Sequence, residues 1–142
     1  MRLVDANVLI YAVNEASPQH DVARTWLDDA LGGDETVGFA WTVVLAFLRL
    51  TTHPAVFAQP LEPEQATAIV RTWMQQPTSR LMEPTPRHLD VLSGLLNETG
   101  TAANLVNDAH LAALAVEHDA TLVTFDADFG RFRGLRTDRP GP

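Results

Sequence analysis

Met1-Arg-Leu-Val-Asp-Ala-Asn-Val-Leu-Ile-Tyr-Ala12 is the stretch from which the fold can be read. Leu3 and Val4 form an apolar run too short to be anything but a buried strand. Asp5 follows at once, then the turn-former Asn7, then the apolar run of residues 8–13. That order predicts strand, acidic corner, helix. In open α/β sheets, ligands collect outside the carboxyl ends of strands, where Asp5 would stand. An Asp or Asn in this place also caps the following helix. Taken alone the stretch favours the cap, and the rest of the chain reverses that balance.

Further along, Ser17-Pro18 has the form of a helix start, with Ser as cap and Pro in the first turn. The spacing of Val22, Trp26 and Leu27 carries this helix to about Leu31, before Gly32-Gly33. Residues 37–39 predict a short strand. Residues 41–50, WTVVLAFLRL, are apolar almost all round, so this helix is central or lies in a protein interface. His53-Pro54 ends it. A proline-rich connection over 54–63 leads to a helix opened by Pro63-Glu64 and ending before Pro77. Residues 80–82 suggest another strand. Pro86 then opens a helix with Leu89, Leu92, Leu95 and Leu96, closed by Gly100.

Asn104 is placed to cap a helix over 105–118. At 100° per residue, Leu111, Ala115, Asp108, Ala112 and Val116 form one arc, with His110, Ala113 and Glu117 opposite. Asp108 thus sits in the middle of an apolar stripe, where a carboxylate is costly unless something positive meets it. The helix dipole favours an Asp in the first turn but does not explain its facing. His110 is expected on the surface, turned away from Asp108. Thr121-Leu-Val-Thr-Phe125 is the clearest strand, and Asp126-Ala-Asp128 follows it directly. This repeats the opening: a buried strand delivers an acid at its carboxyl end. Asp126 could instead cap a short turn through Phe129, and Asp128 is expected to be exposed. Leu135 and Thr137 suggest a last edge strand.

The length of 142 residues fits one domain, 1–142, with a real core. Hydrophobic residues at 46% and charged ones at 20% are ordinary for a globular chain. No apolar run approaches the roughly 20 residues that span a bilayer, and no signal peptide is expected. The absence of cysteine excludes disulfides and thiolate metal sites and fits a reducing cytoplasm. The net charge of −8 argues on its face against a polyphosphate partner. Its distribution weakens that argument, because Arg131, Arg133, Arg136 and Arg139 face only Asp138 within residues 131–142. No lysine occurs, so every fixed positive side chain is a guanidinium, suited to bidentate phosphate or carboxylate contacts. A solvated tail balancing an acidic body is the alternative.

Three acids at strand ends and a helix start now come from opposite ends of the chain. The pieces VDANVL (4–9), NDAHLA (107–112) and LVTFDADF (122–129), in that order, resemble the PIN-domain ribonucleases. The likeness is to the VapC-type toxins of bacterial toxin–antitoxin pairs and covers essentially the whole chain. It implies an α/β fold: a three-layer α/β/α sandwich around a short, mainly parallel central sheet. It also implies a metal-dependent endoribonuclease whose carboxylates bind Mg²⁺ or Mn²⁺. Asp5, Asp108 and Asp126 would be the catalytic and metal-binding acids, with Asp128 as a further ligand and Asn7 and Thr124 as polar support. Arg131 and Arg133 would bind RNA. A VapB-like antitoxin and a homodimer formed through residues around Trp41, Val44, Leu45 and Leu48 would be the partners.

One departure stands out. The family usually carries a Glu on its third helix, and here that position holds Phe47. This keeps open a second reading, a catalytically weak PIN-like RNA- or protein-binding module. A haloacid-dehalogenase-like phosphatase would need an Asp two residues after Asp5, where Asn7 stands.

Overall fold

The computed structural model describes residues 1–100 and 102–141. Its first strand, β1 (Arg2–Val4), leads into α1 (Ala6–Val13), then α2 (His20–Leu31) and β2 (Val37–Phe39). There follow α3 (Trp41–Thr51), α4 (Pro63–Met74), β3 (Ser79–Leu81), α5 (His88–Thr99) and α6 (Val106–Glu117). The chain closes with β4 (Thr121–Val123) and β5 (Arg136–Asp138). The five strands form one sheet in the order β3-β2-β1-β4-β5, and every pairing is parallel.

The strand order decides where the helices go. From β1 the chain steps outward to β2 and β3, so right-handed crossovers place α1 to α4 on one face. From β3 it returns past β1 to β4, which puts α5 and α6 on the other face. The packing agrees: α1 lies against α2 and α3, α4 against α3, and α5 against α6. The result is the α/β/α sandwich expected from the sequence. Leu3, Val4, Val37, Phe39, Leu122 and Val123 are fully or almost fully buried, as strands covered on both faces must be.

The elements match the sequence reading better than their ends do. Ser17-Pro18 does not open α2; the Ser17 hydroxyl accepts from the Gln19 backbone in a turn, and the helix begins at His20. Pro86 likewise precedes α5 by a turn, and Asn104 lies in a short 3-10 turn, Ala103–Leu105, rather than capping α6. Strand β3 runs one residue earlier than expected, and β4 ends at Val123, before Phe125. In α3, Val43, Val44 and Phe47 face the core while Trp41 and Leu45 remain exposed, so the all-round apolar helix serves two surfaces. The Gly32 stop of α2 and the left-handed Gly100 after α5 stand where the sequence put them.

Helix α6 departs most from expectation. Both of its faces are covered, and Ala109 and Leu111 to Ala115 are all buried. The face carrying His110, Ala113 and Glu117 is largely covered, because α5 lies against it, leaving Ala113 buried and, taken as whole residues, His110 and Glu117 half-buried. His110 is therefore not a surface residue: its Nδ1 lies 2.9 Å from His88 Nε2 on α5.

Candidate active site

The sheet reverses its strand order between β1 and β4, and the chains leaving those two carboxyl ends diverge. Asp5 emerges from β1 there, its backbone N–H still laddered to the Val123 carbonyl at 3.0 Å. Thr124 and Asp126 emerge beside it from β4. At this switch point, where such sheets open a crevice, Asp5 lies close enough to Asp108 and Asp126 to feel their charges.

Asp5 acts as the cap of α1 and as part of the cluster at once. Its Oδ1 accepts from the Ala6 N–H at 2.7 Å. Its Oδ2 accepts from the Thr124 hydroxyl at 2.7 Å and from the Asn7 amide at 3.2 Å. Asn7 also donates to the Thr124 hydroxyl at 3.2 Å and accepts from the Phe125 N–H at 3.1 Å. Asn7 and Thr124 thus tie the ends of β1 and β4 together and hold the Asp5 carboxylate. Asp126 caps the 3-10 turn Ala127–Arg131 through a 2.8 Å bond from the Asp128 N–H, and its own N–H donates to Thr124 Oγ1 at 3.0 Å. The cap uses only Oδ1 of this carboxylate.

Asp108 reaches the crevice from the first turn of α6 and accepts no hydrogen bond among the described residues. Burial first, then the charges of Asp126 and Asp128, push its carboxyl above the usual range, against the pull of Arg131. Asp5 is pushed up by burial as well, with Asp108 and Asp126 adding to the rise and the bonds from Thr124 and Ala6 opposing it. Carboxylates far apart in sequence therefore feel one another at the switch point. Asp128 stands at the rim, 74% exposed, and pairs with Arg131 at 3.3 Å. Arg131 Nε also donates to the Asp128 carbonyl at 2.8 Å. Arg133 is exposed and has no partner among the described residues.

Phe47 does not open onto this crevice. It is fully buried and meets the Trp73 ring edge-on at 5.2 Å. The position expected to hold an acid is part of the core between α3 and α4. A cavity of about 600 Å³, lined by Arg2, Trp26, Asp29, Glu35 and Val37, lies around α2 and the amino ends of β1 and β2. No acid of the cluster lines it.

The fit to a hard divalent cation can be judged from the donors. All are carboxylate, amide or hydroxyl oxygens, two carboxyls carry raised pKa values, and both Asp108 oxygens are free of hydrogen bonds. Among the described residues no three carboxylate or histidine side chains close on one point. Magnesium does not need that closure, since it is commonly held by one or two carboxylates and keeps several waters. The donor set fits.

Residues 2–135 match the PIN domain, and the chain belongs to the PIN-domain family. Over 99% of its length it is 54% identical to ribonuclease VapC37 of Mycobacterium tuberculosis, covering 97% of that protein. It is 41% identical to ribonuclease VapC33 of the same species, over 99% of this chain and 98% of that one. Among solved structures, the VapBC2 complex of Rickettsia felis bound to a promoter DNA fragment superposes with a TM-score of 0.72. The match covers 97% of both chains at 18% identity, so it speaks for the fold.

Proposed function

We propose that this protein is the endoribonuclease toxin of a VapBC-type pair, with Asp5, Asp108 and Asp126 as its catalytic acids. The observation that carries the reading is electrostatic: burial raises Asp5 and Asp108, with the charges of Asp108 and Asp126 adding to the rise of Asp5 and those of Asp126 and Asp128 to that of Asp108. An enzyme that kept its acids in this state without a cation would hold them at a cost. Mg²⁺ or Mn²⁺ would be held by Asp5, Asp108 and Asp126, with Asp128 as a further ligand at the rim. When bound, the cation would supply electrostatic stabilisation of the charge that develops around phosphorus. The chain's own part is positional. Asn7 and Thr124 hold Asp5 in place, and α6 presents Asp108 with both oxygens free.

The reading is supported by relatives that bear the name ribonuclease and by structural neighbours solved as toxin–antitoxin complexes. A VapB-like antitoxin is the proposed partner, with an arginine that reaches the acids. The exposed Trp41 and Leu45 on α3 are the proposed core of a two-fold homodimer. No helix of the described residues is long and apolar enough to cross a membrane, and the proposed compartment is the cytoplasm. A weak binding module is the other reading of Phe47, but the acid cluster stands without that position.

The test is cleavage of a cellular RNA pool by purified protein with Mg²⁺ or Mn²⁺ added, then with chelator. Metal-dependent cutting that a cognate antitoxin suppresses is the expected result. RNA left intact under every metal condition would sink the enzyme reading and leave the binding module.

A further inference from the structure

The four arginines of the carboxyl-terminal stretch are not equivalent in the structure. Arg131 is committed to Asp128, by side chain and by carbonyl. Arg136 is committed to Asp119, whose carboxylate lies at 2.9 Å and whose carbonyl accepts at 2.7 Å. Arg133 is free but nothing orients it. Arg139 alone is both oriented and uncompensated. Its Nη1 donates to the Phe125 carbonyl at 2.9 Å, and its guanidinium lies over the Phe125 ring, 5.0 Å from the centroid. No carboxylate pairs with that guanidinium among the described residues.

The contacts beneath Arg139 lead through Phe125 and Asn7 to Asp5. The Phe125 ring meets Tyr11 of α1 edge-on at 5.2 Å. The Phe125 N–H is held by Asn7, whose amide also holds Asp5. The Thr124 N–H donates to the Asp138 carbonyl at 3.0 Å, which draws the end of β5 against the end of β4. Arg139 therefore stands next to Phe125, one residue from Asp126.

A fixed guanidinium with Nε and Nη2 still free presents a planar fork to an oxyanion. In a protein of net charge −8, this cation is held on Phe125, the residue that precedes Asp126. We infer that Arg139, stacked on Phe125, is the fork that seats an RNA backbone phosphate beside the acid cluster. The inference rests on the ribonuclease reading and adds a substrate-binding residue to it. The phosphate it takes is a neighbour of the one that is cut, because the acids themselves must surround the reacting group. The stacked, half-exposed Phe125 also suits an unpaired strand better than a stiff duplex, since single-stranded RNA is held by flat side chains as well as by charge.

The experiment compares wild type, Arg139→Ala, Arg139→Lys and, as a charge-matched control, Arg24→Ala, whose arginine pairs with Asp28 on α2. Each is assayed for cleavage of a single-stranded RNA with Mg²⁺ over a salt series, and each is checked by thermal melting. Arg139→Ala should raise KM about tenfold, as for the loss of hydrogen bonds to a charged group. Its salt slope should fall by about one counterion. The control should keep both values. Arg139→Lys, which keeps the charge and loses the fork, should restore the salt slope but only part of the KM. It also carries the test if the alanine variant melts early. Wild-type KM and slope in Arg139→Ala, with cleavage intact, would overturn the fork and leave the ribonuclease standing. Wild type that cuts no RNA would remove the reading and the fork together.

Discussion

Helix α6 carries two carboxylates that face opposite ways, and the structure treats them in opposite ways. Asp108 has no hydrogen-bond donor among the described residues, and burial with its acidic neighbours raises its pKa. Glu117 points to α5 with its side chain fully enclosed. Burial alone would raise it too, but its bonds from Thr85 and His88 hold it below the usual range. Thr85 donates to Glu117 Oε1 from both its hydroxyl, at 2.6 Å, and its backbone, at 3.0 Å, while His88 Nδ1 meets the other oxygen. His88 in turn meets His110, so an acid and two imidazoles bind α6 to the start of α5. A carboxylate saturated by its own chain is structural. One left without hydrogen bonds among the described residues, with its pKa raised, is a candidate for a ligand.

The contrast breaks most visibly at Asp108. If Asp108 serves the proposed cation, Asp108→Asn should reduce RNA cleavage to background while the fold survives. Without metal the variant should melt at or above the wild-type temperature, since one repelling charge has gone. Added Mg²⁺ should raise the wild-type melting temperature and leave the variant nearly unmoved. Cleavage retained in Asp108→Asn would show that the acids at the switch point are not the active centre.

A carboxylate placed where neither arrangement exists should be worse than either. Phe47→Glu restores the family's usual acid in name, but the position is fully buried against Trp73. It should cost about 3–5 kcal/mol from lost packing alone, with the buried charge adding to it. The measurement is chemical denaturation. Increased cleavage with an unchanged midpoint would mean that the side chain reaches the crevice and that the core reading of Phe47 is wrong.

Glu117 should fail in the manner of a structural residue. Glu117→Gln keeps the shape but weakens the bonds to Thr85 and His88, and should cost about 1–3 kcal/mol of stability. Cleavage per folded molecule should stay at the wild-type level. A selective loss of activity at unchanged stability would join this second cluster to the first.

Half of this contrast was legible in the sequence and half was not. Asp5 and Asp126 follow short apolar runs that read as buried strands. Strand β1 does end directly before Asp5, whereas β4 stops at Val123, and Thr124 and Phe125 intervene before Asp126. Asp108 was legible because a wheel shows an acid inside an apolar stripe. The same wheel put His110, Ala113 and Glu117 opposite Asp108, and the expectation of His110 at the surface failed because one helix's periodicity does not say whether a second helix covers its other side. Alanine at 109, 112, 113 and 115 was the available signal, since small residues on several faces allow close packing all round. The helix starts at Ser17 and Asn104 failed for a local reason: both side chains are equally suited to the turns that precede a helix. Arg139 could be seen only as one of four tail arginines, because which of them finds a carboxylate depends on tertiary contacts.

The smallest effect is the most diagnostic, because the two carboxylates must move stability in opposite directions with pH. In the metal-free protein Asp5 and Asp108 have folded pKa values above their ordinary 3.8, so their ionisation costs stability at neutral pH. That cost is relieved as pH falls through the raised values, before the unfolded chain takes up the same protons. Glu117 has the reverse sign. Its folded pKa lies below the ordinary 4.5, so its contribution is full above 4.5 and is lost as pH falls through the folded value. His110, lowered by burial and by His88, adds a loss that begins as pH falls through 6.5, the ordinary histidine value. Differences between variants separate these contributions. Relative to wild type, metal-free Asp108→Asn should gain most at neutral pH and progressively less toward pH 4. Glu117→Gln should lose most above pH 4.5 and approach wild type below it. Saturating Mg²⁺ should reverse the first difference, because a bound cation favours the ionised acids. If the Asp108→Asn and wild-type melting curves stay parallel from pH 8 to pH 4, the acids do not repel one another. Asp108 would then be an ordinary surface carboxylate.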